Sequence, residues 1–461
     1  MKARALLVLT VAATLPSGCA LKSPPERAEM RAQALPGLQT PDAWRSDGAT
    51  AGPVADAWLT DFGDPRLDAL VAEALANNPD LLAAAARVEQ ASAYVERASA
   101  DLLPRVSAIG NMSGKDSSGG TTNFAGLFAS WELDLWGRVR SGREAARLQL
   151  LSAELSTRYA QQSISAMVAK SWFIASEARL QKAVADDMVA AAEKLVELAR
   201  QRQRIGIGNE YDVSVAEASL ASYRDSDEQR DLAFRQSVRA IEILVGRYPA
   251  AELEVPATLP KLPGPVPAGL PSDLLERRPD VVAAERRVAA AFYRVQETKT
   301  SRLPSLTLTS SVSSLSSDLV ELKNRDNPVW GLGGRATVPL YLGGSLEAEV
   351  KVRTAEQKEA VAEYGRAGAN AFAEVENALS ASFTLQARES LLVRAVTENN
   401  RALELAEIRY RVGSDDLRAV EQQQLRLFSA KSALLRVQSE QLVQRINLHL
   451  ALGGNFVSTN S

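Results

Sequence analysis

The distribution of proline most strongly limits the folds open to this chain. All 20 prolines lie outside two windows, residues 105–248 and 340–461. A proline inside a helix costs about 3 kcal/mol, so long proline-free windows are where long helices can form. Between them, residues 249–271 hold seven prolines, which is typical of a linker or an irregular segment. The sequence therefore predicts two long helical regions joined by a proline-rich link.

The two halves of the chain repeat each other. Five pairs of short motifs occur in the same order, and their offset drifts only from 200 to 207 residues. Such ordered self-similarity is typical of a duplicated unit. The pairs are NPD at 78–80 with RPD at 278–280, LP at 103–104 with 303–304, WELDLWG at 131–137 with TVPLYLG at 337–343, RIG at 204–206 with RVG at 411–413, and LVG at 244–246 with ALG at 451–453.

Each half predicts the same series of elements: a first helix, a pair of strands, a very long helix and a return helix. The first long helix would span on the order of 100 Å at about 1.5 Å per residue. Gly365 and Gly368 fall inside the second long helix, where we expect a local bend. The predicted bounds are 66–102, 105–113 with 124–134, 138–205 and 210–246, then 272–302, 305–314 with 329–340, 344–412 and 415–452.

The predicted strands alternate between apolar and polar side chains. Leu127, Trp131 and Leu133 oppose Ser130 and Glu132. Two interpretations stay open: a soluble sheet with one dry face, or part of a transmembrane barrel with lipid on one side and a polar lumen on the other. Four strands are too few to close a barrel, so the second interpretation requires several copies of the chain.

The first long helix carries two adjacent apolar seams. One seam steps by four and three residues from Val184 to Ile205 with Arg202 as its polar exception, and the other runs from Ala185 to Ala199. An isolated two-stranded coiled coil needs only one seam. Two seams predict a helical neighbour on each side, as in a wall of helices.

The N-terminus is predicted to be a secretory targeting signal. Lys2 and Arg4 precede an apolar run at 5–15 that is too short for a membrane span. Cys19, the only cysteine, lies where cleavage would fall and resembles the cysteine of a bacterial lipobox, although Pro16 stands where leucine is usual. Lipidation of Cys19 and an ordinary signal peptide with an incidental cysteine both stay open.

Composition narrows the functional classes. The net charge is −3, which gives no basic footprint for nucleic acid. One histidine and one cysteine exclude a disulfide framework and a zinc cluster built from these residues. His449 lies between two leucines and is expected to be packed rather than catalytic. We therefore predict no catalytic residue, no cofactor and no metal, and the chain is not expected to be an enzyme.

Each long helix is predicted to end at a glycine-containing turn. Glycine fits the left-handed conformation that closes a helix, and the following Asn, Ser or Asp can cap the next one. The residues singled out at these two hairpin tips are Arg204, Gly206, Gly208, Arg411, Gly413 and Ser414.

At this point the chain resembles the TolC-like outer-membrane efflux factors, in the lipidated branch that serves multidrug exporters of the RND type. The resemblance rests on WELDLWGR at 131–138, its counterpart VPLYLGG at 338–344, the NPD and RPD motifs, and RYRVG at 409–413, and it covers nearly the whole mature chain. It implies a mainly α fold with a small β part and a duplicated helix–β-hairpin–long helix–helix unit. Three copies would form a twelve-stranded transmembrane β-barrel continued by a long periplasmic α-helical barrel.

The resemblance also gives the predicted segments their roles. They are a signal peptide at 1–18, a lipid-anchored and equatorial segment at 19–65, a first repeat at 66–246, a proline-rich equatorial link at 247–271, a second repeat at 272–453 and a C-terminal tail at 454–461. The strands of the repeats would occupy about 105–134 and 305–340, and the helical hairpins 138–246 and 344–452.

The implied function is a passive outer-membrane duct of a tripartite efflux pump. The homotrimer would receive small molecules, such as drugs, from an inner-membrane transporter through a periplasmic adaptor that meets the hairpin tips. The alternatives are a duct for type I protein secretion, which typically lacks a lipobox, and a coiled-coil scaffold without a pore. The substrate stays open, although the lack of Met and His clusters disfavours copper or silver.

The resemblance leaves the closed gate unplaced. Relatives often carry an aspartate ring about nine residues past the second tip glycine, whereas this chain has Gln422 there. Asp415, Asp416 and Glu421 are the other candidates, because three copies of a carboxylate around a narrow axis would form a negative constriction. A solvated surface role is the alternative for each.

Overall fold

The computed structural model describes residues 23–38, 40–47, 49–50, 52–54, 56–111, 123–316 and 329–455. The predicted signal peptide and Cys19 lie outside these residues. Within the described part, the chain is mainly helical with one small sheet, as predicted. The helices are α1 (Arg27–Ala34), α2 (Pro65–Asn77), α3 (Pro79–Ala100), α4 (Arg138–Arg204), α5 (Glu210–Leu244), α6 (Leu274–Arg277), α7 (Pro279–Thr300), α8 (Ser345–Arg411) and α9 (Leu417–Ala451).

The two halves carry equivalent elements of equal length. Helices α3 and α7 each have 22 residues, α4 and α8 each have 67, and α5 and α9 each have 35. The long helices begin and end within one residue of the predicted bounds. None of the described helices combines the length and apolar character needed to cross a membrane.

The prediction of a single first helix in each half is wrong. Residues 66–102 divide into α2 and α3 at Asn78–Pro79, and 272–302 divides at Arg278–Pro279 after a short 3₁₀ turn. Proline disfavours the helical conformation of the residue before it. Asn78 and Arg278 are accordingly extended, with ψ of 124° and 119°.

The four strands form one antiparallel sheet in the order β1-β2-β3-β4. Their bounds are β1 (Arg105–Asn111), β2 (Asn123–Leu133), β3 (Ser305–Ser316) and β4 (Val329–Thr337). Leu127 lies opposite Ala108 on one side and Val312 on the other, and Val312 lies opposite Trp330. Residues on this row share a face of the sheet.

The chain forms two compact units, and each takes residues from both halves. The first comprises the described residues of the ranges 1–38, 85–156 and 280–368, and includes the sheet. The second comprises the described residues of the ranges 39–84, 157–279 and 369–461, and includes both hairpin tips. The main core of the second unit joins Trp58, Trp172 and Ile241 to Leu442 and Ile446.

In the first unit, α1 crosses α8 at Gly365. A Cβ added at Gly365 would lie 2.3 Å from the carbonyl oxygen of Ala34. Helix α8 continues unbroken through the predicted bend at Gly365 and Gly368. The close approach of a neighbouring backbone is therefore a physical reason for glycine at position 365.

Candidate functional sites in the sheet and at the hairpin tips

One face of the sheet is apolar and exposed across all four strands. Val106, Leu127, Trp330 and Leu332 expose 71%, 55%, 75% and 91% of their surface. The register places them on the same face as Trp131 and Leu308. An apolar face of this extent is unusual on a surface bathed in water. The predicted alternation of the strands is confirmed.

The opposite face carries mostly hydroxyls and glycines. Glu132 on β2, Thr307 on β3 and Arg335 on β4 form one row across it. A Cβ at Gly331 would meet the Ser311 hydroxyl at 2.6 Å, so the small residues of β4 leave room for the hydroxyls of β3. Ile109 and Phe128 are two apolar exceptions on this face.

The WELDLWGR motif builds the junction between β2 and α4. Asp134 accepts hydrogen bonds from the backbone N–H groups of Val139 at 3.1 Å and Arg140 at 2.9 Å, which caps the N-terminus of α4. It also pairs with the Arg140 guanidinium at 3.0 Å. Glu132 accepts from both Nε and Nη2 of Arg138 at 3.1 and 2.7 Å. Ion pairs and helix capping within the motif and the start of α4 therefore explain its acidic and basic residues.

The two tryptophans of the motif fasten the junction to neighbouring segments. The indole N–H of Trp131 donates to the Leu102 carbonyl at 2.9 Å, and that of Trp136 donates to the Pro304 carbonyl at 2.7 Å. These two bonds hold the turns that enter β1 and β3.

The first hairpin tip closes α4 with a left-handed glycine. Gly206 has φ of +78°. A Cβ at Gly208 would lie 2.9 Å from the Gln203 backbone nitrogen, so both glycines are required by the turn. Asn209 caps α5 by accepting from the Asp212 N–H at 2.8 Å. Arg204 is exposed and pairs with Glu197 at 3.1 Å.

The second tip repeats this chemistry. Gly413 has φ of +80°, and Ser414 donates from both its backbone N–H and its hydroxyl to the Arg409 carbonyl at 2.9 and 3.1 Å. Asp416 caps α9 by accepting from the Ala419 N–H at 3.0 Å. Arg411 is the exposed last residue of α8.

Arg202 links the two tips through a contact that the sequence did not predict. Its Nη1 donates to the Tyr410 carbonyl at 2.6 Å, and its Cζ lies 4.6 Å from the centre of the Tyr410 ring. Tyr410 is only 2% exposed, and burial raises the pKa of its phenol. The sequence offers one indication of this contact, namely an arginine within an otherwise apolar seam. A cation over a tyrosine face contributes about 0.5–2 kcal/mol, depending on desolvation.

The four candidate gate residues differ in their surroundings. Asp415 accepts from the Asp416 N–H at 2.9 Å, Asp416 caps α9, and Gln422 is exposed. Glu421 is half-buried and accepts from the Ser219 hydroxyl at 2.9 Å, which joins α9 to α5. Burial raises the pKa of Glu421 above its ordinary value, and the charge of Asp212 adds to this against the hydrogen bond from Ser219.

Comparison with known proteins identifies the family. The family model described as outer membrane efflux protein matches residues 70–247 and 270–454. The chain belongs to the outer membrane efflux protein family. It is 31% identical to the probable efflux pump outer membrane protein TtgC of Pseudomonas putida, over 98% of this chain and 96% of that protein.

Two further similarities support this assignment. The chain is 30% identical to the pyoverdine export outer membrane protein OpmQ of Pseudomonas aeruginosa, over 92% of each chain. It resembles the solved structure of the outer-membrane channel OprN with a TM-score of 0.83 and 27% identity, over 92% of this chain and 99% of that one. This outer membrane efflux protein is thus the outer-membrane component of an efflux system, located in the bacterial outer membrane and extending into the periplasm.

Proposed function

We infer that this efflux protein works as a passive trimeric duct of a tripartite pump. In the described residues, β1 pairs only with β2, and β4 only with β3, so both edges of the sheet offer unpaired backbone groups. Such edges cannot remain in contact with lipid, and barrels abolish them. The exposed apolar face beside two free edges is the observation that carries this proposal.

Closing the sheet requires more than one copy of the chain. Four strands per chain give eight strands for two copies and twelve for three. Both counts are compatible with known transmembrane barrels. The resemblance to TolC-like factors favours three, and lipidation of Cys19 would add a second attachment to the membrane.

The hairpin tips are proposed to meet a periplasmic adaptor, which connects the duct to an inner-membrane transporter of the RND type. Ile205, Ile207 and Val412 are 69%, 60% and 72% exposed at these tips, beside Arg204 and Arg411. Exposed apolar side chains rimmed by charge suit a protein partner. Gly206, Gly208, Gly413 and Ser414 would shape this surface rather than bind through their own side chains.

The cargo is proposed to be small molecules such as drugs or other toxic compounds, by analogy with the relatives. Asp415, Asp416, Glu421 and Gln422 stay candidates for a constriction of the closed pore. Asp415 accepts a hydrogen bond within the turn, and Asp416 caps α9. Glu421 differs from both, because its carboxylate joins α9 to α5.

The test is the mass of the detergent-solubilised protein, measured together with single-channel conductance in a planar bilayer. A trimer that gives small, rarely opening steps would support the duct. A monomer or dimer that never conducts would refute the trimeric barrel and leave a scaffold without a pore as the better account.

A further inference from the structure

Among the described residues at the end of the sheet where α4 begins, three arginines pair with carboxylates and Arg335 on β4 does not. Arg105 binds Asp101, Arg138 binds Glu132, and Arg140 binds Asp134. Each of these arginines has its own carboxylate. Arg335 lies at the same end of the sheet and has no acidic partner among the described residues.

Arg335 lies on the polar face of β4, directly opposite Thr307. The nearest carboxylate in its row is Glu132, two strands away, or about 10 Å between backbones. Both oxygens of Glu132 already accept from Arg138. No acidic group of the described sheet therefore competes for Arg335.

In the proposed assembly, the described carboxylate at the facing edge is already paired with an arginine of its own chain. The free edge of β4 would pair with β1 of the next copy, whose first residue at this end is Arg105. That arginine is occupied by Asp101. The side chains beside Arg335 on its own face are Gly333 and Thr337, which are small and uncharged, so the guanidinium faces solvent.

We propose that Arg335 from the three copies forms an anion-binding ring in the lumen of the barrel. The inference rests on the proposed trimer. A guanidinium offers a planar fork of donors that suits carboxylate, sulfonate and phosphate groups. The ring would retain cargo that carries two or more anionic groups and weakly repel polycationic cargo. Arg335 is thus a specificity-determining residue in the duct itself, separate from whatever the transporter selects.

The experiment uses pyranine, a fluorescent dye with three sulfonates, and the full-length protein in a detergent without phosphate groups. Binding is followed by fluorescence anisotropy, and the oligomer mass is measured on the same samples. We expect one dye per three chains, and about tenfold weaker binding for Arg335→Gln because charge-assisted hydrogen bonds are lost at all three positions. The affinity should fall as salt is added, since the interaction is electrostatic.

Arg302→Gln is the matched control. Arg302 is exposed, lies in the turn before β3 and also has no acidic partner among the described residues, but it is off the sheet. It should leave pyranine binding nearly unchanged. An equal loss in both variants, no loss in Arg335→Gln, or one dye per chain would overturn the ring. A monomeric mass would instead refute the proposed duct, so the two failures are distinguishable.

Discussion

His449 occupies a buried position that favours its neutral form. It is 2% exposed and stacks on Trp58, with ring centroids 5.6 Å apart and planes inclined by 16°. Its Nδ1 is buried and has no hydrogen-bond partner in the described structure. Burial, and secondly the charge of Arg445, lowers the pKa of His449 from 6.5 to about 4.

The two repeats carry different buried polar residues at the position of His449. The equivalent residue in the first half, 207 positions earlier, is Glu242. Its carboxylate accepts from the backbone N–H groups of Ala251, Glu252 and Leu253 at 2.7, 2.8 and 3.1 Å. One buried polar residue thus fastens the proline-rich link, and the other packs against an aromatic ring.

We predict that His449 makes the protein less stable in acid. The pKa of His449 is lower in the folded than in the unfolded chain. Its contribution to the free energy of unfolding is therefore fully present above pH 6.5 and is lost as the pH falls toward 4. The loss would reach about 3 kcal/mol at most. Thermal unfolding midpoints of wild type and His449→Phe, measured from pH 7.5 to 4, should differ increasingly in acid in favour of the variant. Parallel curves would contradict the prediction.

Gly365→Ala should release α1 from α8. Alanine normally stabilises a helix interior by about 0.5–1 kcal/mol relative to glycine. Here the added methyl would meet the backbone oxygen of Ala34 at 2.3 Å, so α1 must shift. Trypsin should then cleave faster after Arg27 and Arg31. Gly37→Ala is the control, because it adds the same methyl where nothing lies within 4 Å. Unchanged cleavage of Gly365→Ala would refute the close approach.

At the scale of elements, the sheet separates two environments. If the apolar face meets lipid, replacing Leu332 with lysine should destabilise the inserted protein by roughly 2–4 kcal/mol near the bilayer midplane. The destabilisation should be smaller toward the bilayer surface. In water the change would cost little, since Leu332 is 91% exposed. The fraction of protein inserted into lipid vesicles should therefore fall for Leu332→Lys. Thr309→Lys, on the polar face of β3, should insert normally. Equal insertion of both variants would argue against a lipid-facing sheet.

The two hairpins meet at Arg202, so this contact should control how far their tips can part. Removing it in Arg202→Ala deletes the bond to the Tyr410 carbonyl and the stacking on its ring. We expect more frequent and larger openings in a planar bilayer. Arg200→Ala is the matched control, because Arg200 pairs with Glu217 of its own hairpin at 2.6 Å. The prediction is wrong if both variants open to the same extent.

At the scale of the whole molecule, the sequence repeats are not the folding units. The core of the second compact unit packs Trp172 and Ile241 from the first half with Leu442 and Ile446 from the second. Each half alone would leave these side chains exposed to water. The duplication is therefore read as a symmetric pair of partners rather than as two independent domains.

We predict that the two halves fold only together. A chain divided within the link at 249–271 should give fragments that are protease-sensitive when expressed singly and resistant when co-expressed. We expect this because the halves share one core, and burying an aliphatic or aromatic side chain stabilises the folded chain by about 1.5–3 kcal/mol. Limited proteolysis of each preparation measures this. Resistant single halves would show that each repeat has a sufficient core of its own.

Much of the architecture was determined by local sequence. The proline-free windows gave the long helices, since proline disrupts a helix wherever it is placed in the interior. Strict alternation gave the two faces of the sheet, because successive strand residues point to opposite sides. Gly206 and Gly413 gave the turns, since both need a left-handed backbone. The breaks at Pro79 and Pro279 are also local, because proline disfavours the helical conformation of the residue before it.

Contacts between distant residues could be decided only by the tertiary structure. The sequence named Arg202 as an exception in a seam, but not its partner Tyr410, 208 positions away. It gave no sign that Gly365 faces the Ala34 carbonyl, or that Arg335 alone among the arginines on the polar face lacks a described carboxylate. Local patterns fix the backbone of each element. Which side chains meet depends on how the elements pack, and that is set by surfaces from both halves together.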